Sequence, residues 1–77
     1  MEITVLFFGL FAEAAGADKI TLKGINDTDM LIQHLMDSYP SLWDKKYRIA
    51  LNTRVVNGKT SLSEGDVVAL LPPFAGG

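Results

Sequence analysis

Apolar side chains first gather in Ile3-Thr4-Val5-Leu6-Phe7-Phe8, a run dominated by β-branched and aromatic residues. This predicts a strand with Ile3, Val5 and Phe7 on one face and Leu6 and Phe8 on the other. Because both faces are apolar, one can pack on a core while the other needs a second cover. Leu10 to Ala15 is rich in Ala and Leu, with Gly9 before it and Gly16 placed to stop it, which predicts a short helical turn. Lys19-Ile20-Thr21-Leu22-Lys23 alternates polar and apolar, the pattern of a half-buried edge strand that forms a hairpin with the first strand through the helical turn. Leu31, Ile32, Leu35, Met36 and Tyr39 then recur at helical spacing, with Asp27 positioned as N-cap, Asp29 near the positive end of the helix dipole and Pro40 as the stop.

The second half reads as strands. Ser41 to Tyr47 is expected to be a loop in which Leu42 or Trp43 plugs the edge of the core. Arg48 to Val56 follows as strand, broken by a turn at Asn52-Thr53-Arg54. Asn57-Gly58 is the strongest short turn signal, and Leu62 to Asp66 is a second tight connection. Val67 to Leu71 is wholly apolar and of strand length, as interior strands are. The order β, short helix, β, long helix, β, β, β fits an α+β fold, a mixed sheet of four to five strands wrapping one main helix, with the first and last strands parallel in the middle. That is the β-grasp, or ubiquitin-like, architecture.

Composition narrows the classes of function. Seventy-seven residues suit a single domain, 1–77, and the 48% hydrophobic content exceeds what so small a unit readily hides, so a sticky face and a partner are expected. A net charge of −2, with basic residues dispersed apart from Lys45-Lys46-Tyr47-Arg48, is too little for a nucleic-acid footprint. No cysteine is present, which excludes disulfides, thiolate nucleophiles and Cys-type zinc sites. His34 has no second His or Cys to share a metal and reads as a solvated helix residue, so no metal site is expected. Neither a signal peptide pattern nor an apolar run long enough for a membrane span occurs, and a cytoplasmic location is the expectation.

The chemistry concentrates at the end of the chain. Pro72-Pro73 fixes an extended, stiff exit from the last strand, so residues 72–77 are expected to project from the body. Gly76 and Gly77 have no Cβ, so their backbone can thread a channel too narrow for side chains and present an unhindered carboxylate. The bland alternative is a frayed terminus. Two prolines and an aromatic, Phe74, argue instead that the terminal carboxylate is the reactive group.

Leu6-Phe7-Phe8, Ala12-Glu13 with Gly16, Ala50-Leu51-Asn52, Leu62 to Val68 and Pro72 to Gly77 together resemble the MoaD branch of the MoaD/ThiS sulfur-carrier family, the small subunits of molybdopterin synthase. The likeness runs in register through the whole chain and is most specific from Glu64 to Gly77. It implies a carrier that is not catalytic alone. Gly77, with Gly76, would be adenylated by an E1-like activating enzyme of the MoeB type using ATP. A sulfur donor would convert it to a thiocarboxylate, and the tail would enter a large subunit of the MoaE type to deliver sulfur to cyclic pyranopterin monophosphate. The resemblance implies no permanently bound cofactor, no nucleic acid and no membrane. Family members often carry Arg where this chain has Ala12, so an interface ion pair is expected to be missing. Glu13, Asp27 and Asp29 are explained by capping and solubility, and Lys45 to Arg48 by a wet loop or a weak docking patch. Phe8, Val55, Leu71 and Phe74 are expected to form an apolar docking surface beside the tail, unless a loop covers them. Two other readings stay open: a thiamine-type or other sulfur carrier, and a ubiquitin-like modifier or interaction module.

Overall fold

The structure, a computed structural model, describes residues 1–42 and 44–73. Its elements are β1 (Glu2–Phe7), α1 (Leu10–Ala15), β2 (Lys19–Lys23), α2 (Thr28–Ser38), a 3-10 turn (Pro40–Leu42), β3 (Arg48–Leu51), β4 (Arg54–Val56) and β5 (Val67–Leu71). The five strands form one mixed sheet in the order β2-β1-β5-β3-β4, with β1 and β5 parallel at its centre and the other pairs antiparallel. This is the expected β-grasp arrangement.

Pleating sends alternate side chains to opposite faces. Ile3, Val5 and Phe7 of β1 and Val68 and Leu70 of β5 are buried on one face, beneath Leu31 and Leu35 of α2. Each such aliphatic contributes about 1.5–3 kcal/mol relative to exposure. Ile32, Met36 and Tyr39 border this stripe, and the Tyr39 ring meets Phe7 edge-on, centroids 5.9 Å apart. α2 begins where Asp27 Oδ1 accepts the Met30 N–H at 2.9 Å, supplying one of the donors the first turn leaves open. It ends at Ser38, with the Tyr39 N–H donating to Leu35 at 2.8 Å.

Where a loop was expected after Pro40, the chain makes a 3-10 turn, the Leu42 N–H donating to Tyr39 at 2.9 Å. Proline suits the first position of such a turn, and the turn carries Leu42 fully into the core. Trp43 lies outside the described residues. The β3–β4 hairpin turns on Asn52-Thr53, with φ of 47° and 75°, the two-residue turn whose twist matches its strands. Asn57-Gly58 does turn the chain, Gly58 having φ 74°, but closes no hairpin. It leads the backbone back to the start of α2, where the buried Thr28 Oγ1 accepts the Thr60 N–H at 2.9 Å and the Thr28 N–H donates to Thr60 O. The turn before β5 closes from the Asp66 N–H to Ser63 O at 3.1 Å.

Candidate functional site

Among the described residues, no helix lies over the other face of the sheet. β1 presents Leu6 there, β5 presents Val67, Ala69 and Leu71, and the registers Leu6↔Ala69, Ala69↔Ala50 and Ala50↔Val55 align them in rows across four strands. Small residues occupy the middle, Ala69 and Ala50, and larger ones the margins. The result is an apolar concavity of about 540 Å³ with Leu6 and Phe8 on one side, Val67 and Leu71 along β5, and Asn52-Thr53 closing one end. Phe8, just past the end of β1, is 46% exposed, and Val55, on the short outer strand β4, is 50% exposed.

Of the four residues expected to dock a partner, Phe8 and Leu71 line this concavity and Val55 stands beside Ala50 at its margin. Phe74 lies outside the described residues, as do Gly76 and Gly77. Among the described residues of this loop, none of 44–47 lines the concavity and Leu42 turns to the core. Leu6, Ala50, Val67 and Ala69 complete the surface. For Val67 and Ala69 the available signal was parity within the apolar run of β5. For Ala50, buried to 6% by its neighbours, no sequence feature distinguished a sheet floor from a core position.

The chain leaves this surface directly. Leu71, a wall of the concavity, is followed by Pro72, which packs where β1 passes into α1, its Cγ 3.6 Å from the point a Cβ on Gly9 would occupy. Gly9 has φ 56° and ψ −128°, a region that only glycine enters without strain. Gly9 therefore turns the chain sharply between Phe8 and α1 at the spot where Pro72 passes. On the far side of Pro72 and Pro73, Leu10, Phe11, Lys45 and Lys46 border a second trough of about 370 Å³. Ala12 in α1 is partly buried against the core, and its carbonyl accepts the Gly16 N–H that caps the helix at 2.9 Å. Gly16 is left-handed at φ 71°, as the expected stop requires.

A polar clamp holds β5 to this surface. Asn52 N–H donates to Val67 O at 2.8 Å, and Val67 N–H donates to Asn52 Oδ1 at 2.9 Å. Asn52 Nδ2 donates to Asp66 Oδ1 at 3.0 Å, and Ser63 N–H to Asp66 Oδ2 at 2.8 Å. The Asn52 amide first, and the Ser63 backbone second, hold the Asp66 carboxyl below the ordinary carboxylate range by stabilising its charged form. Ala50-Leu51-Asn52 and Glu64 to Val68, quoted above as separate stretches of resemblance, thus meet in one network. Its members position the concavity and were not foreseen as partners. Elsewhere His34 and Glu13 are exposed on their helices and Asp27 is spent on its cap.

The profile of the ThiS family matches residues 5–77. The chain is 36% identical over 84 residues, covering all of both sequences, to the molybdopterin synthase sulfur carrier subunit of Chlamydomonas reinhardtii. Among solved structures it is similar to the complex of subunits 1 and 2 of the molybdopterin-converting factor from Helicobacter pylori 26695, where the matched chain is 33% identical, fully covered on both sides, with a TM-score of 0.75. It is also similar to small archaeal modifier protein 1 from Methanosarcina acetivorans, at 28% identity, TM-score 0.77 and coverage of 99% of this chain and 96% of that one. The β-grasp sheet, the apolar face that β5 borders just before Pro72 and the near-complete profile match converge, and the chain belongs to the ThiS family.

Proposed function

We propose that this chain is the sulfur-carrier subunit of a molybdopterin synthase. The observation that carries the reading is that β5 ends as the wall of an exposed apolar concavity and passes straight into Pro72-Pro73, so a partner seated on that face receives the Gly76-Gly77 tail. In the same reading an E1-like enzyme activates Gly77. A carboxylate oxygen attacks the α-phosphorus of ATP and pyrophosphate leaves; hydrosulfide then adds to the acyl carbon and AMP departs, leaving a thiocarboxylate and a proton. Activation is needed because a carboxylate is a poor electrophile and an acyl-adenylate a good one. The carrier supplies position and reach, and the acid–base groups belong to the partners. The large subunit then takes the sulfur for cyclic pyranopterin monophosphate. The names of the relatives support the carrier role, and the Helicobacter complex of two subunits supports a large-subunit partner.

Intact-mass measurement after incubation with ATP, the activating enzyme of the same organism and a sulfur source tests this. One oxygen replaced by sulfur at the C-terminus is expected, with no change once Gly77 is deleted. An unchanged mass for the full chain sinks the proposal. The similarity to an archaeal modifier protein favours a second reading, conjugation through the same carboxylate. Gly-Gly remnants on lysines of cellular proteins, lost with Gly77, would establish it. Recovery of a thiazole synthase in place of a large synthase subunit would move the assignment to a thiamine-type carrier.

A further inference from the structure

We propose that the uncovered face is a cation-bracketed socket whose occupant is a protein surface presenting an apolar protrusion flanked by carboxylates. This rests on the partner-docking reading above and specifies the partner's chemistry. Charge is unevenly distributed between the two faces of the sheet. Neither helix carries a Lys or Arg, while Glu13 in α1 and Asp29 and Asp37 in α2 are acidic, as is the cap Asp27. On the uncovered face the register places three of the seven Lys and Arg residues, Lys19, Lys23 and Arg48, against one strand carboxylate, Glu2; Arg54, opposite Leu51, faces the helix side, and Lys59 lies 3.9 Å from the cap Asp27. Lys19 of β2 stands directly across from Leu6, and Arg48 of β3 directly across from Leu71. Directly opposed residues of a ladder project to the same face, so the two cations bracket the concavity from either side. They lie three strand spacings apart, about 15 Å.

Both residues are exposed, and neither forms an ion pair among the described residues. Arg48 also borders the cleft holding Asp29, yet no ion pair joins them. The rows that cross the concavity, Lys19-Leu6-Ala69-Ala50-Val55 and Leu71-Arg48, contain no carboxylate. Glu2, on the same face, is opposed by Lys23 at the far end, and Asp18 opposes Phe7 on the helix side. In a chain of net charge −2, this apolar face therefore carries more cations than carboxylates along its strands, with Asp66 bonded to Asn52 at one end of the concavity. Cations flanking an apolar face steer encounter and fix orientation, while the apolar contact holds the complex.

The test is stopped-flow association with the large synthase subunit of the same organism, at about 50 mM and about 500 mM NaCl, between which the Debye length contracts about threefold. Lys19→Glu with Arg48→Glu is expected to slow association about tenfold at low salt and less than about twofold at high salt, with dissociation little changed. Lys19→Gln with Arg48→Gln gives an intermediate loss and decides the matter if the reversed variant misfolds. His34→Lys with Asp37→Lys changes net charge on the helix layer, away from the cleft that Arg48 borders, and leaves the low-salt rate within about twofold. Equal rates for wild type and both bracket variants at low salt would overturn the socket while leaving the carrier assignment standing. No complex with wild type would remove the partner reading and the socket with it. Sedimentation showing that wild type alone self-associates in a manner abolished by the bracket variants would make a second copy the occupant and overturn the proposal.

Discussion

Asn52 carries more of this structure than its size suggests. Its backbone is left-handed, its N–H and side-chain oxygen both bond Val67, and its amide nitrogen bonds Asp66. Replacement by Ala leaves the Val67 N–H and one Asp66 oxygen without their partners and removes a residue that tolerates positive φ. Urea denaturation is expected to show a loss of about 1–3 kcal/mol. Asp66 gives a separate signature in pH. Its folded-state carboxyl is held low, so the stability it contributes is complete above the unfolded value of about 3.9 and is lost as pH falls through the lower folded value. Asp66→Asn should therefore weaken the protein at neutral pH and flatten the acid limb of its stability curve below about pH 4, measured by thermal unfolding across buffers. A limb as steep as that of wild type would count against this assignment.

Among the elements, α2 and β5 divide the tasks of stability and function. α2 buries Leu31 and Leu35 against the sheet, and Leu35→Ala is expected to cost about 2–5 kcal/mol because close packing leaves a cavity that neighbours fill only in part. β5 is buried on one side through Val68 and Leu70 and offers Val67, Ala69 and Leu71 on the other. Its apolar run is legible in sequence as an interior strand. That its second face stays open was readable only in part, from the parity of Leu6 and Phe8 against Ile3, Val5 and Phe7. The edge character of β2, the N-cap at Asp27, the stop at Gly16 and the break at Asn52-Thr53 were all visible because each is a local consequence of a side chain or a backbone torsion. The 3-10 turn at Pro40 was not, since Leu42 is drawn inward by a core assembled from distant strands.

On the scale of the molecule, the consequence of one helix layer is one uncovered sheet face. Ala69 sits in the middle of that face opposite both Leu6 and Ala50, where a larger side chain would meet solvent and not the core. Ala69→Phe is expected to fill the concavity, shift the melting temperature by no more than a few degrees and abolish binding to the large subunit in a pulldown or titration. A variant that binds as wild type does would place the docking surface elsewhere. Pro72 lies against the turn at Gly9 at the same end of that face.

Residue order alone determined the succession of elements, the two-sided apolar character of the first and last strands and the Gly-Gly end, because these depend on torsional preference and on spacing along one strand or helix. Tertiary structure decided which side of the sheet the helix covers, that Asn52 would meet Asp66 and Val67, and that Lys19 would stand across from Leu6 and Arg48 across from Leu71. Those pairings join residues from different strands, and the cross-strand register that sets them is chosen by burial of the whole core at once.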